Sequence, residues 1–283
     1  MYTVTYDSMM TRPDYKTFIL SSNKKGSGKA TSYLAALDML GEILALSKGP
    51  FREHGSIWAV DSIETIAKLY DYVLKQQKSG EIFATKHAQS YWKKGHYSAA
   101  LKTYQAFLVE SKYEQVLLGR YEEDSFNAAA FEFEIDEAAA LRKMLSKQKG
   151  RDVIRETKVR IGQGAFRKKI MAIYRDTCCV TGLNVPELNR ASHIVPWKEG
   201  KKSRMDPRNG LCLSGTYDIA FDRYLISLDE DYRIILSPDL REYYTKDVVK
   251  MYFHEREGQV IELPTQFKPE QVYLAKHRKL MLS

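Results

Sequence analysis

Apolar residues return at helical spacing through the first half of this chain and in short, strand-like runs after residue 178. That change of period is what most narrows the possible folds. In Thr31–Leu46, the residues Leu34, Leu37, Leu40, Ile43 and Leu46 fall on one side of a helix. Asp61-Ser62 caps a second helix, with Ile63, Ile66, Leu69 and Val73 as its apolar stripe. A third is expected over His96–Glu110, turning Ala99, Leu101, Tyr104 and Leu108 inward, while Trp58, Tyr91, Trp92 and Tyr97 read as packing residues between helices. Beyond residue 178 the runs Ala191–Trp197, Asn209–Ser214, Tyr224–Asp229 and Tyr232–Ser237 have strand character. The last two flank Asp229-Glu230-Asp231, a hairpin signal, and Thr216–Arg223 between the pairs suits a short helix. The order is β, β, α, then a hairpin, so the expected fold class is α+β with a mainly helical N-terminal domain.

At 283 residues, 44% of them hydrophobic and 28% charged, the chain has the composition of a folded protein of about two domains. No apolar run approaches the roughly 20 residues that cross a bilayer. The first residues, MYTVTYDSMMTRPDYK, contain no apolar core of a secretory signal. Three cysteines, Cys178, Cys179 and Cys212, make no even disulfide framework. The expectation is a cytoplasmic protein with no membrane partner. Its net charge of +8 is uneven: residues 151–283 carry 24 basic and 18 acidic side chains, residues 1–150 carry 20 and 18. Between Ser146 and Arg175 there are ten bases against two acids, Asp152 and Glu156. Such a stretch either grips a polyanion, gaining counterion release, or is a solvated linker face.

Gly26–Thr31, GSGKAT, imitates a phosphate loop without its pattern. Asn23 stands where the leading glycine belongs, Ala30 follows Lys29 where Ser or Thr is required, and no apolar strand precedes it. It is read as a basic turn before the next helix. Four polar residues of the second half carry more chemical potential: His193, Asn209, Asp218 and Asp222. Asp218 and Asp222 are i,i+4 on the short helix, so their like charges share a face and invite a cation. Hard oxygen donors suit Mg²⁺, Mn²⁺ or Ca²⁺ better than zinc. Taken singly, His193 could equally be a core histidine and the two aspartates solvated acids, with Asp222-Arg223 a local ion pair.

Taken together, Cys178–Gly182 (CCVTG), Ala191–Trp197 (ASHIVPW), Arg204–Ser214 (RMDPRNGLCLS) and Tyr217–Arg223 (YDIAFDR) resemble the HNH endonucleases, the ββα-metal nucleases. The resemblance extends over about 160–283, including a tail FKPEQVYLAKHRK. It implies that His193 is the general base that takes a proton from water, and that Asn209 stabilises the loop and orients it. Asp218 and Asp222 would hold one divalent metal, Mg²⁺ or Mn²⁺. Two positions depart from the pattern: Ser192 stands where a metal-binding Asp or His is common, and the cysteines lack paired C-x-x-C spacing, so a structural zinc is not expected.

The domains expected are a helical part at 1–145 with a DNA-recognition or dimerisation role, a basic linker at 146–160, and an HNH nuclease domain at 161–283. Arg167, Lys168 and Lys169, before CCVTG, and Lys201, Lys202 and Arg204, in a loop read as too polar for a core, are the expected DNA-binding residues. The partner is double-stranded DNA, and double-strand cleavage by a one-metal site suggests a homodimer. A restriction or antiviral defence role is implied by the resemblance. The alternatives are a non-specific or structure-selective nickase, and a catalytically dead DNA-binding module.

Overall fold

The computed structural model describes residues 11–22, 28–83, 89–122, 126–145 and 151–282. The first half is built of helices: α1 (Arg12–Ser22), α2 (Lys29–Leu46), α3 (Ile63–Ser79), α4 (Gln89–Lys93), α5 (His96–Arg120), α6 (Ala128–Leu145) and α7 (Arg151–Ile173). Helix α2 exists because Leu34, Leu37, Leu40 and Leu44 repeat every three to four residues and all are buried. Leu46, expected on the same stripe, is instead 86% exposed, because Ser47 already leaves the helix in an extended conformation. Before α3 the Ser62 side chain accepts from the Thr65 amide, the cap expected there. Gly28 precedes α2 with φ 62° and offers no side-chain cap; residues 23–27 of the basic turn lie outside the described residues.

The contacts divide the chain into two units, Met1–Gln115 with Ile135–Ile161, and Val116–Glu134 with Gly162–Ser283. Helices α5, α6 and α7 each have residues in both. Residues 151–160 of the expected linker are helical, in α7, and residues 146–150 lie outside the described residues. The first unit packs Ile19, Leu37, Leu40, Leu69, Leu101 and Leu108 around a ring cluster in which Tyr15 meets Tyr104 at 5.3 Å and Trp58 at 5.6 Å. Trp58, Tyr91, Trp92 and Tyr97 all pack in this core. No described helix is long and apolar enough to cross a membrane.

The second unit carries two small antiparallel sheets: β1 (Asn189–His193) with β2 (Gly210–Ser214), and β3 (Ile226–Leu228) with β4 (Ile234–Leu236). Helix α8 (Gly215–Asp222) follows β2 directly and touches both β1 and β2. Short helices α9 (Pro238–Arg241) and α10 (Asp247–Tyr252) follow, and α11 (Gln271–Met281) packs on β3. The β, β, α, hairpin order is thus the one expected. Strand β1 is shorter than its apolar run, since Ile194 and Val195 turn into the loop leading to β2. Phe166 and Ile170 of α7, Leu211, Leu213, Phe221, Ile226 and Leu274 form the core. Gly210 has to be a glycine: a Cβ there would lie 2.4 Å from Ile170 Cδ1 and 2.7 Å from Phe166 Cζ.

Candidate active site

The sheet register sets His193 opposite Gly210 and Ser192 opposite Leu211. With no side chain on Gly210, Phe166 of α7 comes up to the strand and stacks on the His193 imidazole, centroids 3.8 Å apart and planes 13° from parallel. Trp197 meets the same ring edge-on at 5.7 Å. His193 Nε2 lies 3.0 Å from the Arg204 carbonyl oxygen. A carbonyl only accepts, so Nε2 carries the proton and Nδ1 keeps the lone pair. Burial holds the imidazole in its neutral form, pushing its pKa down to about 4 against the opposing pull of the carbonyl bond.

Asn209 is fully buried and stitches the loop that follows His193. Its Oδ1 accepts from Val195 N at 2.8 Å, and its Nδ2 donates to Val195 O at 3.1 Å and Ser203 O at 3.2 Å. Its bonds go to Val195, two residues beyond His193, and to Ser203 across the loop, so it fixes the loop backbone. The Trp197–Asn209 loop, read as too polar for a core, is in fact largely folded in. Ser203, Met205, Asp206 and Pro207 are buried. The reason is pairing: Asp206 is held by Arg208 at 2.8 Å and by the Tyr273 hydroxyl at 3.1 Å. The Arg204 guanidinium is bonded by Glu132 at 2.7 Å and lies 4.9 Å over the Trp197 ring.

Asp218 and Asp222 project from α8, which packs on β1 and β2. Partial desolvation first, and the charge of Asp218 second, lift the Asp222 carboxyl above the ordinary aspartate range. Among the described residues neither acid forms an ion pair with a base, and no group of three or more His, Cys, Asp or Glu is arranged to hold a metal. A pair of uncompensated carboxylates fits Mg²⁺ or Mn²⁺, which bind proteins through one or two carboxylates and take their other oxygens from water and phosphates. Ser192 is 3% exposed, its hydroxyl has no hydrogen-bond partner, and strand alternation turns it to the face opposite His193. Cys178, Cys179 and Cys212 are buried free thiols, and burial pushes Cys179 and Cys212 up.

The bases expected to grip DNA separate into two kinds. Lys201 and Lys202 are exposed on the loop turn and Lys168 on α7. Lys169 is 9% exposed, its ammonium 3.1 Å from Glu122 and over the rings of Tyr121 and Phe267. Arg204 is held by Glu132, and Arg167 donates to the carbonyls of Asn189 at 3.0 Å and Pro186 at 3.2 Å. Sequence reasoning missed Glu122 and Glu132, which lie 47 and 72 residues from the bases they hold, and nothing local signals such pairs.

Two paired strands followed by a helix, with an imidazole on the first strand and paired carboxylates on the helix, define a ββα unit. Residues 178–229, which contain it, match the family model described as HNH endonuclease. No curated protein matches the chain.

Proposed function

We propose that the second unit is a metal-dependent DNA endonuclease hydrolysing phosphodiester bonds by a one-metal mechanism, with His193 as general base. The observation that carries the reading is the polarity of that imidazole. Nε2–H donates to the Arg204 carbonyl oxygen, so the neutral ring keeps its lone pair on Nδ1, where it can accept a proton from water. The match of residues 178–229 supports the same class. Asn209 keeps the loop beneath Arg204 in register, and so positions the carbonyl that orients the base. Asp218 and Asp222 would hold Mg²⁺ or Mn²⁺, which supplies charge neutralisation at the phosphodiester and its leaving oxygen. Exposed Lys168, Lys201 and Lys202 would contact phosphates. Cutting both strands would call for two copies of the chain. A role in restriction or defence, on modified DNA among others, follows only from the resemblance.

A DNA-binding module without catalysis is the competing reading, favoured by the lack of a third metal ligand among the described residues. Supercoiled plasmid offered to the chelated protein, with single metals added back, separates the two. Cleavage is expected with Mg²⁺ or Mn²⁺, lost with Asp218→Asn/Asp222→Asn, and slowed about 10²–10⁴-fold by His193→Gln at unchanged DNA affinity. Retained binding with no cleavage by the wild type would establish the module. Activity with stoichiometric zinc alone would rule out the two-carboxylate site.

A further inference from the structure

Arg204 reaches His193 by two routes. Its carbonyl oxygen accepts from Nε2–H at 3.0 Å. Its guanidinium lies 4.9 Å over the Trp197 ring, and that ring meets the imidazole edge-on at 5.7 Å. The end of the side chain is gripped by Glu132: Arg204 Nε donates to Oε1 at 2.7 Å and Nη2 to Oε2. This is the two-bond fork that arginine forms with a carboxylate, and a guanidinium lying flat on an indole keeps its edge free to make it. Both side chains are largely withdrawn from water, 14% and 30% exposed, so salt screens the pair little. Glu132 belongs to α6, outside the matched residues 178–229, and to the Val116–Glu134 stretch that packs in the second unit. The same stretch holds the next loop residue. The Tyr121 hydroxyl donates to the Met205 carbonyl at 2.8 Å, and Phe131, beside Glu132 in sequence, packs on Tyr121.

We propose that Glu132 is a positioning residue for the His193 base: by clamping the Arg204 guanidinium against Trp197, it holds the Arg204 carbonyl where the imidazole meets it. The inference rests on the nuclease reading for what the base does, and on the geometry alone for the clamp. A guanidinium released from Glu132 is free to leave the indole, and the backbone at 204 then loses one of its ties. Met205 stays bonded to Tyr121, so the loop slackens without unfolding. Misplacing a reacting group by about 1 Å costs on the order of 10²-fold in rate. Arg204 as a phosphate contact, the role expected from the sequence, makes the opposite demand on Glu132. There the carboxylate only competes with DNA, and removing it strengthens binding. The two roles therefore differ in sign.

The test uses the full chain and two readouts, cleavage kinetics and the titration of His193. Glu132→Gln and Arg204→Lys should each lower kcat about 10–100-fold with Mg²⁺ or Mn²⁺, at unchanged KM and unchanged duplex affinity in EDTA. The double variant should be no slower than the slower single one, because the two side chains act as a unit. Glu132→Arg/Arg204→Glu, which restores the pair, should recover part of the loss. Without metal, the ¹³Cε1–H resonance of His193, assigned with His193→Gln, reports on the ring itself. Its neighbours are Phe166 from α7, Gly210 across from it on β2 and Trp197, and its pKa is set by burial and the Arg204 carbonyl, with no charged side chain among the causes. Wild type should titrate near 4, and the variants closer to 6.5 as the slackened loop admits water. Circular dichroism melts establish folding; an ion pair that served stability alone would lower the melt and leave this titration of folded molecules unmoved. Arg204→Lys, which strips no buried charge of its partner, carries the test should Glu132→Gln not fold. Tighter, more salt-sensitive duplex binding by Glu132→Gln at unchanged kcat would make Arg204 a phosphate contact and overturn the clamp. If the wild type cleaves with none of the metals while the variants still shift His193, the nuclease reading falls and the clamp stands. If the wild type cleaves and the folded variants cleave as fast, the clamp falls and the nuclease reading stands.

Discussion

Two histidines of the second unit share one arrangement, and it makes them the main pH-sensitive groups of the core. His193 stacks on Phe166 and His277 on Phe221, each at 3.8 Å, and each Nε2 lies 3.0 Å from a carbonyl. His277 is 3% exposed and its Nδ1 meets the Ser227 hydroxyl at 2.9 Å. Burial pushes both pKa values down to about 4, from an ordinary 6.5. A depressed histidine pKa means that the unfolded chain binds the proton first. Stability from this source is therefore complete above pH 6.5 and is lost as pH falls towards 4, by up to about 1.4 kcal/mol per pH unit for each ring. Urea unfolding between pH 4 and 8 should show that decline, and His277→Gln should make it shallower by about half. A flat profile would mean that the rings are not buried neutral. The same packing means that His193→Ala, by removing a stacked and bonded ring, leaves a cavity, so His193→Gln is the cleaner probe of the proposed base.

Strand β2 and helix α7 meet at Gly210, and the whole position of His193 depends on that approach. A methyl at Gly210 would collide with Ile170 and Phe166, both well inside the core. Gly210→Ala should destabilise the chain by about 1–3 kcal/mol, the usual penalty for overpacking, and displace Phe166 from the imidazole. A lowered urea midpoint with an unchanged slope would register the first effect. Wild-type stability would mean that β2 and α7 do not approach so closely. At this scale the sequence was informative wherever the cause was local. The stripe of α2, the Ser62 cap and the hairpin around Asp229-Glu230-Asp231 each depend on residues a few positions apart, and each is present. The Trp197–Asn209 loop was misread because its polarity is satisfied from afar, by Glu132, Glu270 and Tyr273. For the candidate site, His193, Asn209 and the aspartates were singled out by the resemblance of the motifs that carry them. The stack on Phe166 and the bond to Arg204 could not be read in this way, because they arise from packing between elements.

At the scale of the molecule the same long-range bonds bear on where the second unit begins. The sequence suggested a nuclease domain at 161–283, but Val116–Glu134 packs with it. Tyr121 is 4% exposed and donates to the Met205 carbonyl at 2.8 Å, within the loop that also carries Arg204. Phe131 is 1% exposed and its ring lies 4.6 Å from that of Tyr121. Glu122 and Glu132 neutralise Lys169 and Arg204. A fragment 161–283 would lose both buried aromatics and leave the Lys169 ammonium in the core without its acid. Large core aromatics are worth about 3–5 kcal/mol each, and a buried ion stripped of its partner costs more again. The sum is on the order of the entire stability of a domain this size, about 5–15 kcal/mol. Fragment 161–283 is therefore expected to show no cooperative melt by circular dichroism, while fragment 116–283 retains one. A cooperative melt of 161–283 at the temperature of 116–283 would show that residues 116–134 add nothing to the fold. Loss of folding in the shorter fragment alone would make the segment around Tyr121 part of the second unit, because it holds the Met205 backbone next to the Arg204 carbonyl to which His193 is bonded.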